Sequence, residues 1–199
     1  MLHHKLCGAG AVVALCVSPA LAAPVDLGDD GMSLFWLMFS RDGFTVGDKH
    51  FSGLRFHSYD IGSWDLKIMP VNLGPDGGIG FDIVPNAGYR TSSDDISFKL
   101  SYTVGVTDPA YQITDAHLAF DGWYDDNDHD RTGGSHAGIE VHETLSVGDD
   151  ELGDMRVFAN GDGSQLTDWL VFEPVDSLSV EKWFTAKGDF PVDRTGGHY

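Results

Sequence analysis

The first clear indication of the fold is the sequence GFTVGDKHFSGLRF at residues 43–56. Phe44 and Val46 alternate with a polar residue before Gly47-Asp48, and a second run with apolar residues at alternating positions follows. Gly47 can adopt a positive φ without steric cost, and Asp48 is a typical turn residue. The stretch therefore predicts a β-hairpin that gives later strands an edge to pair with.

Short strand patterns separated by turn residues continue after the hairpin. The clearest period of two lies at residues 95–106, so this strand is predicted to be central. Further strands are predicted at residues 64–70, 79–83, 113–120, 137–147, 155–158, 166–172 and 178–184. No amphipathic segment of ordinary helix length separates them, which disfavours parallel βαβ units. The sequence predicts an all-β fold, an antiparallel two-sheet sandwich with a Greek-key or jelly-roll-like path.

Two places depart from the strand pattern. Residues 29–39 predict a short helix with Ser33 as its cap, and a strand is the alternative there. Glu143 interrupts the apolar alternation of the strand at residues 137–147.

The first residues have the pattern of an export signal. His3, His4 and Lys5 make a short polar and basic start, and the apolar run at residues 7–17 is too short to span a bilayer. Ala20-Leu21-Ala22 is an Ala-x-Ala cleavage pattern. We predict a signal peptide at residues 1–22, a single β-sandwich domain at 23–185 and an irregular tail at 186–199 that leaves one sheet edge unpaired.

Composition excludes several classes of function. Cleavage after residue 22 removes Lys5 and both cysteines, so the mature chain has no disulfide and no thiolate site, and its net charge moves from −19 to −20. Such a charge repels nucleic acid and anionic membrane surfaces. We expect a secreted monomer with no nucleic-acid partner and no transmembrane helix in the mature chain.

Four stretches, taken together, resemble the exported bacterial proteins that carry a PEP-CTERM sorting signal and are processed by an exosortase. They are GFTVGDKHFSGLRF, GIGFDIVP through DDISFKLSYTVGV, IEVHETLSVG and DSLSVEKWF, and their order matches over residues 33–185. The resemblance implies an extracellular β-sandwich protein of the cell surface or matrix, in a family without an established catalytic activity. Family members continue with a Val-Pro-Glu-Pro signature, a transmembrane helix and a basic tail. This sequence lacks them before Tyr199, so we expect a lost anchor or a fragment, and attachment to the bacterial surface only if that anchor exists.

An acidic run offers a candidate cation site. Asp126, Asp128 and Asp130 could converge on calcium from one turn, but calcium takes about six to eight oxygen ligands. Arg131 stands where an EF-hand loop has glycine, so an EF-hand is rejected. We predict a solvated hairpin tip and no cofactor, with calcium as the alternative.

Aromatic residues raise the alternative of a carbohydrate-binding module. Trp123 and Tyr124, beside the acidic run, are the best candidates for a sugar platform, which would bind extracellular polysaccharide. The other tryptophans are Trp36, Trp64, Trp169 and Trp183. Most of them fall on alternating strand positions, so burial is expected for these residues.

No catalytic or metal-binding residue is predicted. No pair of histidines has zinc-ligand spacing with a glutamate between, and no Gly-x-Ser-x-Gly motif occurs. With 31 acidic residues some pair of carboxylates is always arguable, so a glycan-active enzyme is kept only as a second alternative.

Overall fold

A computed structural model describes residues 24–72, 78–86, 95–120, 138–160 and 163–187. Within these ranges the chain is almost entirely β-structure, with one short helix, α1 (Leu34–Phe39), and a single 3-10 turn (Ser63–Asp65). The strands are β1 (Val25–Asp26), β2 (Met32–Ser33), β3 (Phe44–Val46), β4 (Lys49–Ser58), β5 (Leu66–Asn72), β6 (Ile79–Pro85), β7 (Asp95–Val106), β8 (Ile113–Ala119), β9 (Gly138–Val147), β10 (Asp150–Asn160), β11 (Gly163–Gln165), β12 (Thr167–Val175) and β13 (Ser177–Lys187).

The strands form two layers. The first layer is an eight-stranded sheet in the order β1-β3-β4-β7-β13-β9-β10-β11. The second layer is divided into a three-stranded sheet, β2-β5-β6, and a two-stranded sheet, β12-β8. All pairings are antiparallel except that of β1 with β3. The predicted all-β antiparallel sandwich is therefore confirmed, with its second layer split in two.

The predicted hairpin begins the large sheet. β3 and β4 pair antiparallel around a turn in which Gly47 has a φ of 57°. Gly43 lies just before β3 with a φ of 65°, and a Cβ placed on it would be 1.9 Å from the carbonyl oxygen of Phe51. Only glycine allows the two strands to approach this closely, and β4 then pairs with β7, as expected.

The long strands β7 and β13 lie at the centre of the large sheet. β7 is central, as its alternating pattern predicts, and it pairs with β4 on one side and β13 on the other. The prediction that the last strand leaves an unpaired edge is wrong, because β13 is inserted between β7 and β9. It also extends to Lys187, and Ala186 is buried against both neighbours.

The predicted helix exists but is shorter than residues 29–39. It begins at Leu34, and Ser33 makes no side-chain hydrogen bond to cap it. Leu34 and Leu37 face the core and are fully buried. Burial of these two side chains, not capping, therefore holds the single turn of helix in place.

Two hydrophobic clusters fill the space between the layers. One lies under the three-stranded sheet and α1, and includes Phe44, Phe51 and Ile68. The other lies under the two-stranded sheet, and includes Leu145 and Val157. We call the side of the large sheet that faces these clusters the inner face, and the opposite side the outer face.

Candidate functional site

The outer face of the large sheet presents polar and aromatic side chains in rows that cross five strands. Residues paired across β4, β7, β13, β9 and β10 share a row, because directly opposed side chains lie on the same side of a sheet. One row contains His57, Lys99, Trp183, His142 and Arg156. The next contains Arg55, Ser101, Glu181, Thr144 and Asp154.

Trp183 lies in the middle of its row and is held by two neighbours. Its Nε1 donates a hydrogen bond of 3.1 Å to Glu181 Oε1, and Lys99 Nζ lies 4.6 Å from the centroid of its ring. Lys99 Nζ is also 2.6 Å from Glu181 Oε1, and this hydrogen bond is the main reason that the pKa of Glu181 is lowered. The indole is thus fixed in orientation and still 46% exposed.

An arginine–glutamate ion pair and a histidine–aspartate contact flank this tryptophan on β9 and β10. Arg156 Nε lies 2.6 Å from Glu140 Oε1, and this hydrogen bond, followed by the charge of Glu140, raises the pKa of the guanidinium. His142 Nε2 is 3.4 Å from Asp154 Oδ2. Charged groups of both signs therefore surround Trp183.

A shallow, open groove of about 520 Å³ runs across the outer face, and Glu181, which accepts the hydrogen bond from Trp183, is one of the residues that line it. Five of its lining residues are serines or threonines: Ser101, Thr103, Thr144, Ser146 and Ser179. Gly53, at a β-bulge in β4, also lines it and has open space where a Cβ would stand. Hydroxyl groups donate and accept hydrogen bonds, so the groove offers both kinds of partner to a polar ligand.

The charged residues of the groove are mostly acidic. The acidic residues are Asp149 in the β9–β10 turn, Glu151 on β10 and Glu181 on β13. Arg55 is the single basic residue among the described residues that line the groove. Glu181 is two residues from Trp183 along β13, which places the groove next to the indole. Like charges repel, so an anionic ligand is disfavoured at this surface.

The predicted sugar platform and calcium ligands lie outside the described residues. Trp123, Tyr124, Asp126, Asp128 and Asp130 all fall within residues 121–137, and both sites stay predictions. Within the described ranges no three His, Cys, Asp or Glu side chains are grouped closely enough to hold a metal ion.

The other tryptophans are exposed, and the expectation that they are buried is wrong. Trp36, Trp64 and Trp169 retain 66%, 64% and 69% of their exposure. On β12 the neighbouring Leu170 packs into the core, so Trp169 faces outward, where its ring meets that of His117 edge-on at 5.8 Å. Burial on one face of a strand necessarily exposes the alternate residues.

A buried ion pair lies on the inner face, where the sequence predicted only an interruption. Glu143 on β9 and Lys182 on β13 are directly opposed, and their side chains retain 6% and 15% exposure. Glu143 Oε2 has no hydrogen bond of normal geometry within the described residues, and its compensation is the ionic contact with Lys182 Nζ. Tyr102, which packs partly buried against both hydrophobic clusters, has its pKa raised well above its ordinary value, first by burial and then by the charge of Glu143. The pair lies between core residues and offers no opening for a ligand, so we assign it to the core.

Comparison with known proteins adds no relative. No protein-family model matches the chain, and no curated protein or solved structure is significantly similar to it. None of the helices in the described part of the chain has the length and apolarity to cross a bilayer.

Proposed function

We propose that this protein is an exported, non-catalytic protein of the cell surface or extracellular matrix that binds extracellular polysaccharide through the outer face of its large sheet. The observation that carries the proposal is the hydroxyl-lined groove running beside Trp183, an exposed indole fixed by Glu181 and Lys99. The export signal and the resemblance to PEP-CTERM proteins support the location outside the cell.

The geometry suits a pyranose chain. A sugar ring has an apolar face of C–H groups that packs on an aromatic ring, and hydroxyl groups at its edge that need hydrogen-bond partners. Trp183 offers the ring, and Ser101, Thr144 and Ser179 lie in the adjoining groove. All of these residues are on strands, so little conformational entropy is lost on binding.

The charge distribution selects among polysaccharides. The acidic groups along the groove and the net charge of −19 oppose a chain that carries carboxylates or sulfates. A neutral glycan avoids this repulsion, and an amino-bearing glycan is attracted by Glu151 and Glu181. We therefore assign neutral or amino-bearing polysaccharides as the ligands.

The test is affinity electrophoresis in gels that contain one polysaccharide each: a neutral β-glucan, chitosan or polygalacturonate. We expect retardation by the first two and none by the third. Trp183→Ala should weaken binding by up to about tenfold, because loss of an aromatic contact of up to about 1.5 kcal/mol corresponds to that factor. Trp169→Ala is the control, since it removes a more exposed indole, 69% against 46% for Trp183, from the other layer.

Both variants should keep the far-ultraviolet circular dichroism of the parent. Equal affinity of the parent and Trp183→Ala would contradict the site, and failure to bind any of the three polysaccharides would contradict the function. Release of reducing sugar during incubation would point to a glycan-active enzyme. Export is checked separately by N-terminal sequencing of the secreted protein, which should begin at Ala23.

A further inference from the structure

A second group of aromatic residues, three of them exposed, lies away from the groove, around α1 and the 3-10 turn. We call it the aromatic patch; it contains Phe35, Trp36, Phe39 and Trp64. The ring of Phe35 is its centre, with ring centroids 5.4 Å from Trp36, 4.9 Å from Phe39 and 6.3 Å from Trp64. Trp36, Phe39 and Trp64 each retain about two thirds of their exposure.

Trp64 is held in place by the backbone beneath it. A Cβ on Gly62 would lie 2.5 Å from Cε2 of the Trp64 ring, so the indole lies directly against this glycine. Gly62 N donates to Asp65 Oδ2 at 2.9 Å, and Asp65 N donates to Gly62 O at 3.0 Å. Asn86 then fixes the turn from the neighbouring sheet, through its backbone N to Asp65 O and its side-chain amide to Trp64 O.

The patch is not explained by packing of the core. Leu34 and Leu37 already bury the inner side of α1, and the segment Leu34–Phe39 has no charged residue to cover its outer side. Contiguous exposed aromatic surface is uncommon on a monomer and typically marks a binding site. Rigid aromatic rings also bind with a small loss of side-chain entropy.

We propose that the aromatic patch is a second carbohydrate site, in which Trp64 and Trp36 stack on the apolar faces of a neutral, β-linked chain of glucose or N-acetylglucosamine units. Such units carry their polar groups equatorially and present a flat C–H face to an aromatic ring. The inference takes its ligand class from the proposed function, whereas its site rests on independent observations.

Charge favours this ligand over the other apolar partners. A second copy of the chain would bring a net charge of −19 against another −19, and an anionic bilayer would be repelled in the same way. A neutral oligosaccharide carries no charge and has both C–H faces and hydroxyl edges. Nothing in the patch itself provides a cation that could offset the repulsion of an acidic partner.

The experiment is isothermal titration with cellohexaose and chitohexaose. Trp64→Ala and Trp36→Ala should each weaken binding of the preferred oligosaccharide by about tenfold at this site, since one aromatic contact is lost. Gly62→Ala is the sharper variant, because it keeps Trp64 but displaces its ring. Gly62 has an ordinary extended backbone, with φ −86° and ψ 152°, so alanine should be tolerated by the fold. We expect its affinity to lie between those of the parent and Trp64→Ala.

Trp183→Ala and Trp169→Ala are carried in parallel. If the groove fails as a site and the patch is correct, Trp183→Ala leaves the titration unchanged while Trp64→Ala weakens it. If both sites bind, Trp183→Ala removes the groove site from the titration and Trp64→Ala removes the patch site. Loss of binding in Trp183→Ala alone, with Trp64→Ala and Gly62→Ala identical to the parent, would overturn the patch proposal. The proposal would also be overturned if the parent binds neither oligosaccharide and instead dimerises in sedimentation velocity or binds phosphatidylcholine vesicles. Loss of that dimerisation or vesicle binding in Trp64→Ala would then assign the patch to a protein or lipid partner.

Discussion

Replacement of Lys182 by methionine should destabilise the protein by about 3–5 kcal/mol, the usual cost of leaving one partner of a buried ion pair uncompensated. Glu143 would be the group left behind. It lies on the inner face between Val141 and Leu145, two buried residues of β9, and its side chain retains only 6% exposure. Methionine is unbranched and only one atom shorter than lysine, so packing is nearly preserved and most of the lost stability reports on charge.

The double variant separates charge from packing. Adding Glu143→Leu to Lys182→Met removes the orphaned carboxylate, so most of the lost stability should return, and the double variant can equal or exceed the parent. Lys99→Met is the matched control on the outer face, where Lys99 and Glu181 retain 32% and 44% exposure. Loss of this exposed pair should cost less than about 1 kcal/mol.

The free energy of unfolding of the parent and the three variants is measured by urea unfolding followed by fluorescence. Midpoints are compared at a constant slope of free energy against urea concentration. A deficit below about 1 kcal/mol for Lys182→Met, equal to that of Lys99→Met, would refute the buried pair.

Two further substitutions test other parts of the fold. Gly43→Ala should cost about 3–5 kcal/mol, since its Cβ would lie 1.9 Å from the Phe51 carbonyl oxygen, whereas Gly53→Ala shares its positive φ but has open space and should cost about 1–2 kcal/mol; equal costs in urea unfolding would contradict the close approach. The raised pKa of Tyr102 means that the folded state keeps a proton that the unfolded chain releases, so this contribution is present below about pH 10 and lost as the pH rises through the folded pKa. Tyr102→Phe should therefore lose less melting temperature than the parent between about pH 9 and about pH 11, around the ordinary pKa of tyrosine; identical alkaline profiles for the parent and Tyr102→Phe would contradict the assignment.

Most of the strands were predictable because each has a local signature. The hairpin at residues 43–56 has its turn glycine in phase with alternating apolar residues, and β7 keeps the alternation over its full length. The pairing partners of the strands were harder to predict, since strand pairing depends on contacts between residues far apart in sequence. β13 pairs with β7 and β9, and nothing local to residues 177–187 distinguishes a central strand from an edge strand that is equally apolar.

The buried ion pair needed the register of the sheet as well as the pattern. Glu143 interrupts the apolar phase of β9, and Lys182 interrupts the same phase of β13 between Val180 and Phe184. Each interruption is ambiguous by itself, because a polar residue on an apolar face can also mark a bulge or an edge. Only the pairing of β9 with β13 places the two side chains opposite each other, and opposite charge then explains both interruptions.

The exposed tryptophans differ in how far the sequence determines them. On β13 the inner phase runs through Leu178 and Val180, so Trp183 shares the outer phase with Glu181, and its exposure could have been derived by counting along the strand. On β12 both phases are apolar, and the position of the second layer decides that Leu170 is covered and Trp169 is not. Trp64 follows neither rule, because it lies in a 3-10 turn. Its ring packs directly against Gly62, where any residue with a Cβ would collide with it. Strand alternation therefore predicts the exposure of Trp183 from sequence alone, whereas the position of the Trp64 ring follows only from the backbone around Gly62.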